Sequence, residues 1–141
     1  MNIYIDTEFN EYRGALISMA LVAEDGGVFY GVLECHDPGF WVAEHVIPKL
    51  KASPMSRSAF VSGLATFLDH YESVHLIADW PEDIEHFLHA LVVGPGKRIG
   101  PDRFTMEVRR DLPDTASTSR IPHNALEDAR ALALGAKGAK T

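Results

Sequence analysis

A chain of 141 residues, 46% hydrophobic and 23% charged, is long enough to bury a real core as one domain and has an ordinary globular composition. Its net charge of −7 excludes a broad basic surface that would bind nucleic acid by counterion release, and its one cysteine, Cys35, excludes an internal disulfide and a thiolate zinc site. No apolar run approaches the ~20 residues that span a bilayer, and Asp6 and Glu8 interrupt the N-terminus where a signal peptide needs apolar residues, so a cytoplasmic protein without membrane contact is expected.

Residues 3–9 open on Ile3, Tyr4 and Ile5 and read as a buried strand. Two further strands are predicted over 16–24 and 28–34, and Glu24-Asp25-Gly26-Gly27 between them supplies hairpin turn chemistry, so three antiparallel strands begin the chain. After the loop at Asp37-Pro38-Gly39, residues 41–51 and 56–71 are predicted helical. In the second of these, Phe60, Leu64, Phe67, Leu68 and Tyr71 form one apolar face and Ser56 or Ser58 supplies the cap. A fourth strand is expected at 74–79. Pro81 then starts a helix with a stripe of Ile84, Phe87, Leu88 and Leu91.

Gly94 to Pro101 is a turn-rich loop that lacks the Lys-Ser/Thr of a phosphate-binding loop. A fifth strand is predicted at 104–110, a Pro/Ser/Thr-rich loop at 112–122, and a last helix from about 125 to 136. The small, polar segment from Lys137 to Thr141 is expected to be a flexible tail, leaving residues 1–136 as the single domain. Strands first, then mixed helices and strands, imply an α/β layer fold around one sheet.

Three acidic patches end apolar segments. Asp6 and Glu8 lie two apart on a strand, on one face, where carboxylates ~5 Å apart repel by roughly 3 kcal/mol at an effective dielectric of 20. They either share a cation or proton, or the strand stops at Asp6 and both are solvated turn residues. Asp79, Glu82 and Asp83 follow the fourth strand. Acids in a first helical turn are common for dipole reasons alone, and Asp83, next to Ile84 of the buried stripe, is the better ligand. In the third patch, Asn124 and Glu127 are spaced as an N-cap and its N3 acid, which puts His123 and Asp128 in the two positions that touch across a helix entry. That pattern sets an imidazole beside a carboxylate, or leaves Asp128 to the helix dipole and His123 to solvent. His86 and His89 have no third ligand in view. Phe40, Trp41 and Trp80 are available either for core packing or for stacking on bases.

Taken together, the patches resemble the DEDDh 3′–5′ exonucleases of the ribonuclease H-like superfamily. Ile3-Tyr4-Ile5-Asp6-Thr7-Glu8-Phe9 is similar to their opening Asp-x-Glu strand, and His123-Asn124-Ala125-Leu126-Glu127-Asp128-Ala129 to their closing His-x4-Asp helix, in order and spacing that cover residues 3 to about 135. The middle motif departs from the family pattern. Asp83 falls on the catalytic position, while Asp79 stands where asparagine is usual and Glu82 where an aromatic is usual. This departure, with the short acidic chain, resembles a compact bacterial and phage group of exoribonucleases, often homodimeric.

The resemblance implies a mixed five-stranded sheet flanked by helices and exonucleolytic hydrolysis of RNA from its 3′ end. It implies that Asp6, Glu8, Asp83 and Asp128 hold two Mg²⁺ or Mn²⁺ ions about 4 Å apart, one activating water and one stabilising the leaving 3′-oxygen, with His123 as general base. Thr7, Phe9, Trp80 and Asn124, beside these acids, are the expected substrate contacts. Lys97, Arg98, Arg109, Arg110 and Arg120 are candidates to hold the strand, and a homodimer is expected. A DNA-directed 3′–5′ exonuclease, an inactive nucleic-acid-binding relative and an unrelated carboxylate-rich metal-binding protein are the alternatives.

Overall fold

The computed structural model describes residues 1–138. The chain starts with three antiparallel strands, β1 (Asn2–Phe9), β2 (Leu16–Ala23) and β3 (Val28–Val32), and the second turn is closed where Gly26, at φ +96°, takes the left-handed backbone. Helix α1 (Phe40–His45) gives way to a 3-10 turn at Ile47–Lys49, so the helix expected over 41–51 is broken. Pro48, which has no N–H to donate, ends it. Helix α2 (Arg57–Leu68) is capped by Ser56, whose hydroxyl accepts the Ala59 N–H at 3.1 Å. It buries Phe60, Leu64, Phe67 and Leu68 and stops three residues short of Tyr71.

Strand β4 (Ser73–Ala78) leads into α3 (Pro81–Leu91). Here the buried face is Asp83, Phe87, Ala90 and Leu91, whereas Leu88, expected in the stripe, is 45% exposed. Part of the expected 94–101 loop is a small hairpin, β5 (Val92–Gly94) and β6 (Lys97–Arg98), with Gly96 at φ +63° in its turn. Strand β7 (Arg103–Val108), the short helix α4 (Thr115–Thr118) and helix α5 (Ala125–Gly138) complete the chain. Lys137 and Gly138 of the expected tail are therefore helical, and residues 139–141 lie outside the described residues.

The five-stranded sheet has the order β3-β2-β1-β4-β7. Its first three strands are antiparallel, and β4 runs parallel to both β1 and β7. This is the mixed α/β sheet flanked by helices expected from the ribonuclease H-like resemblance. Strand β1 is central and buried on both faces. Ile3 and Ile5 pack in one core with Phe60, Leu64 and Phe87, while Tyr4 packs in another with Ile77, Ala129 and Leu132. Alanines at 125, 129, 133 and 136 let α5 lie close on β1 and β2. Because strand side chains alternate, Asp6 and Glu8 project with Tyr4 towards α5, and Thr7 projects with Ile3 and Ile5 towards α2 and α3. Among the described residues no helix is long and apolar enough to cross a membrane.

Candidate active site

Parallel pairing of β1 with β4 brings their carboxyl ends to one edge of the sheet, where α/β folds bind ligands. Asp6 and Glu8 lie at the end of β1 and Asp79 directly follows β4. A bulge between Glu8 and Phe9 re-aims the end of β1. Asp83 arrives from the first turn of α3 and Asp128 from the first turn of α5. All five carboxylates line one cleft of about 320 Å³, with Trp41, Trp80 and His123.

The acids fall into two groups. Ligand oxygens of Asp6, Glu8 and Asp128 lie within 4.8 Å of one another, and so do those of Asp6, Asp79 and Asp83. Asp6 belongs to both. Asp79 and Asp83, which compete in the sequence for a single role, therefore both stand beside Asp6.

Crowding so many acids in a partly dry cleft favours their neutral forms. Burial, then Asp83, Glu8, Asp128 and Asp79, raise the Asp6 carboxyl well above its ordinary range. Burial, then Asp128 and Asp83, push Glu8 up to about 8, with Lys49 opposing. Asp83 is also raised to about 8 by burial, and Asp128 to about 6 for the same first reason. Burial raises Asp79 too, against the pull of Arg110.

Thr7 fixes Asp83. Its hydroxyl donates to Asp83 Oδ1 at 2.6 Å and its backbone N–H donates to the same oxygen at 3.1 Å, both bonds buried. Asp83 is only 2% exposed, a carboxylate in what is otherwise a core position of α3. Asp128 is 5% exposed. Its Oδ2 accepts the His123 N–H at 3.1 Å, the nearby Ser119 hydroxyl helps to lower its pKa, and its buried Oδ1 completes no hydrogen bond of good geometry among the described residues.

His123 and Asp128 do meet at the helix entry, but through the main chain rather than the imidazole. His123 has a left-handed backbone, φ +66°, which accompanies the turn of its amide towards Asp128. Its ring stands edge-on to Trp41 at 5.0 Å, and burial, Lys49 and His45 lower its pKa. Asn124 caps α5 as its spacing predicts, accepting the Glu127 N–H at 3.1 Å. The same amide donates to the Lys49 and Leu50 carbonyls at 2.7 and 3.2 Å, and the residue is 3% exposed. Thr7 and Asn124, expected to touch substrate, thus spend their side chains on internal bonds.

Phe9 lines the cleft and packs on His86, ring centres 5.0 Å apart. Trp80 is 47% exposed, donates its indole N–H to Glu82 at 3.2 Å and carries the Arg110 guanidinium over its ring at 5.4 Å. Of the other expected strand-holding cations, Arg98 is committed to the Gly100 and Pro101 carbonyls and Asp102, and Arg109 makes a two-pronged pair with Asp111. Neither His86 nor His89 joins a metal-ligating group among the described residues.

No family model matches the chain. Two proteins of Mycobacterium tuberculosis, both named 3′-5′ exoribonuclease and coming from strains CDC 1551 and H37Rv, are each 38% identical to it over 148 aligned positions. Each alignment covers 92% of this chain and 88% of the relative. At that identity and coverage, the chain belongs to the family of these mycobacterial 3′-5′ exoribonucleases.

Proposed function

We propose that the protein is a metal-dependent 3′-5′ exoribonuclease of the DEDDh type. The observation that carries this reading is Asp6, whose carboxylate oxygens belong to two separate groups of potential ligands, Asp6-Glu8-Asp128 and Asp6-Asp79-Asp83. The donor set is all carboxylate oxygen, which suits hard cations such as Mg²⁺ and Mn²⁺. The unpartnered, buried Oδ1 of Asp128 and the raised pKa values of Glu8 and Asp83 fit the same conclusion, since a cation would satisfy the one and ionise the others. Two such ions, held by Asp6, Glu8, Asp83 and Asp128 with Asp79 beside them, would supply Lewis acidity to the attacking water and to the leaving 3′-oxygen.

The protein's own groups do the rest. His123, with its pKa lowered, is neutral at working pH and accepts the proton of the attacking water. Its ring rests edge-on against Trp41 and its amide is bonded to Asp128. Trp41 and Trp80 line the cleft and are each about half exposed; with His45 stacked on one and Arg110 over the other, each has one ring face left for the terminal bases. Thr7 and Asn124 act by positioning, Thr7 on Asp83 and Asn124 on the α5 entry that presents Asp128. RNA as substrate and the 3′-to-5′ direction follow the names of the relatives.

The test is a 5′-labelled RNA incubated with Mg²⁺ or Mn²⁺. A ladder that shortens from the 3′ end, lost on chelation and lost in Asp6→Asn with the fold intact, is expected. Cleavage at full rate under chelation, or by Asp6→Asn, would overturn the proposal.

A further inference from the structure

A second cleft, of about 500 Å³, lies between the β2–β3 turn, α4 and α5. Its floor is apolar, with Val22, Ala131 and Leu134, the last 69% exposed. Its rim is cationic, with Arg120, Arg130 and Lys137 against a single acid among the described residues, Glu127. Glu127 is paired with Arg130 at 2.6 Å. Among the described residues Lys137 reaches only the Glu24 carbonyl, at 3.5 Å, and the Arg120 guanidinium has no hydrogen bond or ion pair. Two positive charges are thus left over on this rim, in a chain whose net charge is −7.

This cleft adjoins the acidic one. Thr115 at one end of α4 lines the acidic cleft and Thr118 at the other end lines the cationic cleft. On α5 the neighbours Asp128 and Glu127 divide in the same way. From Arg130 to Lys137 the helix rises about 10 Å at 1.5 Å per residue, the length of about three stacked nucleotides at 3.4 Å each. A second copy of the chain docked face to face would set these cations against one another, whereas a polyanion complements them. Bases have apolar faces for the floor and phosphates have charge for the rim.

We propose that this α5 cleft holds the RNA strand upstream of its 3′ end, with Arg120 and Lys137 on its phosphates. The inference rests on the exoribonuclease reading and adds to it a single-strand track that makes long substrates bind better than short ones.

The test compares wild type with an Arg120→Ala/Lys137→Ala double variant on an RNA of roughly 12 nucleotides and on a dinucleotide too short to reach the cleft. For the long RNA, KM should rise about 5- to 10-fold with kcat unchanged, and kcat/KM on the dinucleotide should stay within about twofold. The slope of log affinity against log salt should fall by about 1.4, two phosphate contacts at about 0.7 each for a single strand. An unchanged KM on the long RNA overturns the proposal, as does an equal loss on the dinucleotide. So does a change of mass by light scattering with KM unaltered, which would make the cleft a contact between copies. Wild-type protein that cleaves neither substrate refutes the exoribonuclease reading instead. The cleft is then read by anisotropy of fluorescent RNA, where equal affinity of wild type and variant overturns it.

Discussion

Replacing Thr7 by Val tests how the site is held. Valine keeps the shape of threonine and suits a strand, so the change removes one hydroxyl and little else. The lost bond is the 2.6 Å contact to Asp83 Oδ1, while the Thr7 backbone N–H still reaches that oxygen at 3.1 Å and keeps the carboxylate roughly in place. Without a cation, Asp83 holds a proton at pH 7, because burial pushes its pKa to about 8. The bond is then between neutral groups and contributes about 1 kcal/mol. With a cation bound, Asp83 is ionised and the same bond contributes roughly 1.5 to 3 kcal/mol. The difference, about 0.5 to 2 kcal/mol, should appear as a roughly 2- to 30-fold weaker half-saturation by Mn²⁺. Turnover at saturating Mn²⁺ should be nearly restored. The assay is rate against metal concentration at fixed RNA, with Tm recorded in chelator to count the ~1 kcal/mol lost from the metal-free fold. An unchanged half-saturation, or a lost rate that metal does not restore, would refute the positioning role of Thr7.

Metal-free protein should become less stable as pH rises. Glu8 and Asp83 titrate near 8 and Asp128 near 6 in the fold, all above their ordinary values, so the folded state binds more protons than the unfolded one. That contribution is complete below about pH 4 and is lost as pH passes through 6 to 8; Tm in chelator from pH 5 to 8.5 should fall, and a flat profile would contradict the crowding of these acids. Asp83→Asn should abolish cleavage, whereas Asp79→Asn should weaken metal binding yet keep substantial turnover at saturating metal, since Asp83 is buried and held by Thr7 while Asp79 is partly open. The opposite ranking would make Asp79 the principal ligand. His123→Asn, a residue that tolerates the left-handed backbone at φ +66°, should lower turnover by ~10²-fold or more with Mn²⁺ affinity unchanged; near-normal turnover across pH 6 to 9 would remove the general base.

Much of this architecture is written locally in the chain. The continuous apolar run of Ile3, Tyr4 and Ile5 marks a strand buried on both faces, the Asn124-to-Glu127 spacing marks the start of α5, and Ser56 marks the start of α2. The acids of the site are legible because each ends an apolar segment, and strands and helices in such folds deliver their ends to one edge. What the sequence conceals is tertiary. Leu88 fits the helical stripe of α3 as well as Leu91 does, and only the packing of α3 on the sheet turns Asp83 inward and Leu88 out. The Thr7 bond to Asp83 spans 76 residues, and no local pattern announces it. The nearness of Asp79 to Asp6 likewise depends on the parallel register of β1 and β4. The direction of the His123 ring depends on its left-handed backbone, which a helix-entry pattern drawn for ordinary dihedrals does not contain. The break in the 41–51 helix had a local signal in Pro48.

The proposed exchange of protons for cations at the acidic cleft can be measured directly by titrating the metal-free protein with Mn²⁺ at pH 7 in two buffers of different ionisation enthalpy. With Glu8 and Asp83 near 8 and Asp6 raised above its ordinary range, two Mn²⁺ ions should bind per chain and more than one proton should leave. Both effects should be lost together in Asp6→Asn. Saturable Mn²⁺ binding without proton release, or binding that survives Asp6→Asn unchanged, would contradict a site built around that carboxylate.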